Sequence, residues 1–97
     1  MRGNENTNIG VAWWRREQWD RLREISVDGH KLDDTYDDWL AHAETLLDAN
    51  HVGIIAEKVD VDVEELLAWC NEKGLPVNGA SRAQYVAKVL RDRDQTA

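Results

Sequence analysis

Phenylalanine is missing from this chain altogether, and cysteine, proline and methionine occur once each. Without Phe, the aromatic bulk falls to five Trp and two Tyr, and Trp13, Trp14 and Trp19 crowd into the stretch "WWRREQW". The lone Cys70 excludes an internal disulfide, and no second thiol exists to build a redox or zinc framework. Folding must then rest on burial and hydrogen bonds, as in a cytosolic domain. No run approaches the ~20 continuous apolar residues of a membrane-spanning helix, and the opening "MRGNENTNIG" lacks the apolar stretch of a secretory signal. A soluble cytoplasmic protein with no membrane contact is expected.

Positive charge is also scarce: 12 Lys and Arg stand against 19 Asp and Glu, for a net charge of −7. Nucleic-acid binders carry a basic stripe that neutralises phosphates, so direct DNA or RNA binding is disfavoured. Gly10, Gly29, Gly53, Gly74 and Gly79 are isolated from one another, which removes any Gly-rich phosphate loop. No cofactor is expected.

What remains is a chain of 97 residues, the length of one domain with one modest core. The polar ends, residues 1–8 and 92–97, are expected to be flexible around a single domain over 9–91. In "NIGVAW", Ile9, Val11 and Trp13 alternate with Asn8, Gly10 and Ala12, the period of a half-buried strand. From Trp14 the period changes to that of a helix, with Trp14, Trp19, Leu22 and Ile25 in one sector and Trp13 outside it. This first helix begins near Arg16 or Glu17 and ends before the Asp28-Gly29 turn.

Thr35 caps a second helix, with Asp38 at the reciprocal position, and Tyr36, Trp39, Leu40, Ala43, Leu46 and Leu47 form its apolar stripe up to a C-cap at Asn50. That stripe reads as core. "HVGIIAEKVDVDV" is rich in β-branched residues, and Val59, Val61 and Val63 alternate with acids, which marks a second strand with a bulge near Gly53. Asp62 and Glu65 cap a third helix that buries Val63, Leu66, Leu67 and Cys70 and stops at Lys73-Gly74, before Pro76. A fourth follows Asn78 and runs to about Arg91, with Val86, Val89 and Leu90 inward.

The expected fold is therefore a helix-dominated α+β domain of order β-α-α-β-α-α, its two short strands forming or extending a small antiparallel sheet. Two strands are marginal alone, so a free edge over 52–60 pairing with a second copy is expected. A homodimer or another protein partner follows, with Trp13, Val52, Ile54, Ile55 and Val59 as the interface.

Chemistry-bearing constellations are thin. A thiol nucleophile would need Cys70 beside His30, His42 or His51, yet Cys70 sits on the inner stripe of its helix as a small buried hydrophobe. Asp38 and His42 stand one helical turn apart and could share an ion, with Asp33, Asp34 or His30 to complete the set, which would suit a small metal-dependent hydrolase. "DVDVEE" lacks the Gly and closing Glu of a calcium loop. Arg15, Arg16, Arg21 and Arg23 interleave with Trp, but Glu17, Asp20 and Glu24 neutralise them into a salt-bridged face. No catalytic, metal or cofactor residue is assigned, and the chain is read as no enzyme.

Three functional readings follow, the metal-dependent hydrolase being the third. The first is a non-catalytic protein-protein interaction module. The second is an acidic inhibitor in which Asp33, Asp34, Asp37, Asp38, Asp60, Asp62, Glu64 and Glu65 imitate nucleic-acid phosphates. The segments "WWRREQWDRL", "TYDDWLAHAE" and "EELLAWCNEKGLPVNGASRAQYVA" resemble a group of short bacterial proteins of uncharacterised function. That resemblance, spanning residues 13–87, implies a bacterial or bacteriophage-related origin and a shared fold, and no activity.

Overall fold

The alternating segment forms a strand, β1, over Thr7–Trp13, and the Val-rich segment forms β2 over Ile54–Asp60. In the computed structural model, which describes residues 7–48 and 54–95, the two strands run parallel, with Thr7 opposite Ile54 and Trp13 opposite Asp60. The expected antiparallel sheet is thereby corrected. Parallel neighbours require a crossover that returns the chain to the end where the first strand began. Here two helices make that return, α1 over Trp19–Ile25 and α2 over Tyr36–Asp48. A 3-10 turn at Arg16–Gln18 leads into α1, and another at Gly29–Lys31 follows it. After β2 come α3, Val63–Lys73, and α4, Gly79–Gln95. The order thus interposes two 3-10 turns in place of the plain β-α-α-β-α-α succession, and helix dominates.

The core lies where α3, α4 and α1 meet one face of the sheet. Leu22, Val59, Val61, Val63, Leu66 and Cys70 are completely buried there, with Trp14, Trp19, Val77, Val86 and Leu90 around them. Close approach of β1 to α4 depends on Gly10. A Cβ at that position would lie 2.8 Å from Val86 Cγ1 and 3.2 Å from Val59 Cγ2.

Local chemistry sets the helix ends. Asp62 Oδ1 accepts hydrogen bonds from the Glu64 and Glu65 amides, while the Val63 amide donates to Gln18 Oε1, so side chains satisfy the first turn of α3. At its other end Gly74 adopts φ 69°, and the Leu75 and Gly74 amides donate to the Cys70 and Asn71 carbonyls, which is the Schellman closure. Asn78 and Ser81 exchange side-chain and amide hydrogen bonds at the start of α4. Asp28 adds a tether: it pairs with Arg82 at 2.8 Å and accepts from the Gly79 amide at 3.1 Å, tying the turn after α1 to α4.

One helix departs from expectation. Of the α2 stripe only Ala43 is buried, Leu40 and Leu47 are half-buried, and Leu46 is 56% exposed. The expectation that this whole stripe is core is corrected. Tyr36 and Trp39 dock the first half of α2 against Trp19, with ring centroids 6.1 and 5.6 Å apart, while Leu46 near its end stays open to solvent. The proposed C-cap at Asn50, and His51, Val52 and Gly53, lie outside the described residues.

Candidate protein interface

A two-stranded sheet leaves each strand one partner, so backbone groups of alternate β1 residues face away from β2. Among the described residues no third strand pairs with that outer edge. A groove of about 890 Å³ follows it along Ile9, Gly10, Val11 and Ala12. Because four consecutive residues line it, side chains of both faces contribute, which places the groove at the edge of the sheet. Trp39 and Leu46 of α2 form one wall, and Ala83, Val86, Ala87 and Leu90 of α4 form the other. Ile9 is 44% exposed at the groove. Arg82 and Arg91 also line it, Arg82 being held by Asp28 and Ser26 and Arg91 being exposed.

The strands differ in charge. β1, "TNIGVAW", has no ionisable side chain, whereas β2, "IIAEKVD", carries Glu57, Lys58 and Asp60. Each of these three is engaged. Glu57 reaches Arg93 at 3.4 Å, Asp60 binds Arg15 at 2.7 Å, and Lys58 Nζ sits 4.5 Å above the Trp13 ring. Trp13 also meets Trp39 edge-on at 5.3 Å, so this chain's own α2 and β2 flank its ring.

The residues expected at an interface are thus dispersed. Trp13 is half-buried beside the groove wall, and Val59 is fully buried beneath α4, where it offers no surface. Ile54 and Ile55 begin β2 opposite Thr7 and Asn8, and Val52 lies outside the described residues. Ile9, Gly10 and Leu46, which sequence reasoning assigned to a strand face and to the core, are the residues that meet at the groove. The signal that distinguishes β1 is its lack of charge.

Most of the acidic residues are engaged within the chain. Asp60 and Asp62 bind Arg15, Asp37 binds Arg16, Glu64 binds Arg21 and Asp34 pairs with Arg23. The Arg15 guanidinium holds the Asp60 carboxyl below the usual carboxylate range, and the Glu65 amide does the same for Asp62. His42 Nδ1 lies 3.1 Å from Asp33 Oδ2, while the Asp38 amide donates to Thr35 Oγ1 as a cap. Among the described residues no group of three or more His, Cys, Asp or Glu is placed to hold a metal. Nor is any described helix long and apolar enough to cross a membrane.

No protein-family model, curated protein or solved structure matches this chain.

Proposed function

We propose that this chain is a non-catalytic protein-protein interaction module that takes an added strand along the outer edge of β1. The carrying observation is the groove over Ile9, Gly10, Val11 and Ala12, with an apolar wall from α2 on one side and from α4 on the other. An extended polypeptide laid there receives main-chain hydrogen bonds from the edge, and its alternate side chains meet the two walls. Charge and Pro, which block such pairing on natural edge strands, are both missing from β1. The acidic-mimic reading has less support, because Arg side chains already bind Asp34, Asp37, Asp60, Asp62 and Glu64. We place the module in the cytoplasm, in keeping with its single buried thiol.

Selection from a displayed library of random heptapeptides tests this reading. Enrichment of sequences with alternating apolar residues is expected, and an Ile9→Lys chain should fail to retain them. Equal recovery on the parent and Ile9→Lys chains would sink the proposal.

A further inference from the structure

We infer that the occupant of the β1 edge is β1 of a second copy of this chain, paired antiparallel about a two-fold axis. This rests on the strand-addition reading above. Two-fold pairing sets each residue opposite another residue of the same strand, and a residue on the axis opposite its own copy, so charged side chains restrict the registers in which a strand can pair with itself. β1 has no charge to repel its copy in any register, while β2 carries Glu57, Lys58 and Asp60, the kind of side chains that block edge pairing.

The groove walls favour a whole second copy over a lone peptide. Antiparallel edge pairing brings α2 near its counterpart on one face of the enlarged sheet and α4 near its counterpart on the other. Exposed Leu46 then gains an apolar neighbour, and exposed Ala83 and Ala87, one turn apart on α4, leave room for close helix approach. An isolated strand would satisfy the backbone edge and bring no helix to either wall. Pairing also converts a marginal two-stranded sheet into one of four strands, ordered β2-β1-β1-β2.

A charge of −7 on each copy opposes association, and salt screens that repulsion. The dimer should therefore tighten as ionic strength rises.

Sedimentation velocity on the full chain, across protein and salt concentration, provides the test. A dimer is expected, with a dissociation constant raised by about tenfold or more in Ile9→Lys and in Leu46→Glu. Leu46→Glu keeps the test independent of any effect of Ile9→Lys on the strand. Val27→Lys, at an apolar residue 66% exposed and outside the groove, should leave it unchanged. A chain that stays monomeric throughout, or a dimer indifferent to both groove variants, overturns the second-copy proposal. Titration with a synthetic peptide of the β1 sequence, TNIGVAW, then separates the two ideas. Saturable binding lost in Ile9→Lys leaves strand addition standing with another polypeptide as occupant, and no binding removes both.

Discussion

Leu66 on α3 and Leu46 on α2 belong to helical apolar stripes of the same kind, yet Leu66 is completely buried and Leu46 is 56% exposed. Around Leu66 the chain supplies Val59, Val61, Val63 and Cys70, each buried to the same degree. Around Leu46 the described chain supplies no such cover, and the groove opens there along the edge of β1. An apolar stripe identifies the face that avoids water; what covers that face depends on the neighbours that the topology brings to it. On one side of this molecule the cover is its own helices, and on the other Leu46 and the edge of β1 face an open groove.

Substitutions should separate the two regions. Leu66→Ala removes a side chain from the closed region and should cost about 3 kcal/mol in urea denaturation. Leu46→Ala deletes the same atoms in the open region and should change the stability of the monomer by less than about 0.5 kcal/mol. Equal costs would erase the contrast. Asp28→Ala removes the Arg82 partner and the acceptor of the Gly79 amide, and a loss of about 2 kcal/mol is expected by the same method. A smaller loss, about 1 kcal/mol, is expected for Gly10→Ala, whose added methyl must displace Val86 or Val59 at the seam between the regions.

The last effect concerns pH. Hydrogen bonds from Arg82 hold the Asp28 carboxyl below its usual value in the folded chain, as those from Arg15 do for Asp60. A depressed folded value means that the unfolded chain takes up protons first on acidification. The stabilisation is therefore complete above the ordinary carboxylate range and is lost as pH falls through the folded values. Melting temperature should drop below about pH 4, and less steeply in Asp28→Ala than in the parent chain. Parallel curves would show that Asp28 does not contribute.

Much of the closed region was legible in the sequence. Asp62, Gly74 and Asn78 marked helix ends because capping chemistry is local, and the change of period after Trp13 separated it from the buried Trp14 and Trp19. Strand direction was not legible, since alternation in β1 and β2 is the same read in either sense. It follows from the path of the two intervening helices, which the sequence indicates but whose return to one end of β1 or the other only the folded chain displays. The candidate site was least legible of all. The density of β-branched side chains points to β2 as the interface, yet Val59 is core and the edge that carries the groove belongs to β1. Local patterning records which side chains are apolar, whereas an edge is defined by the absence of a neighbour. Leu46 was assigned to the core for the same reason.

Hydrogen exchange of the β1 backbone amides tests the central claim most directly. At low protein concentration, the amides of β1 that face β2 should be protected while the alternate, outward amides exchange freely; on raising the concentration or adding a β1 peptide, the outward set should gain protection. Uniform protection along β1 at every concentration, or outward amides that never slow, would contradict an edge built to receive another strand.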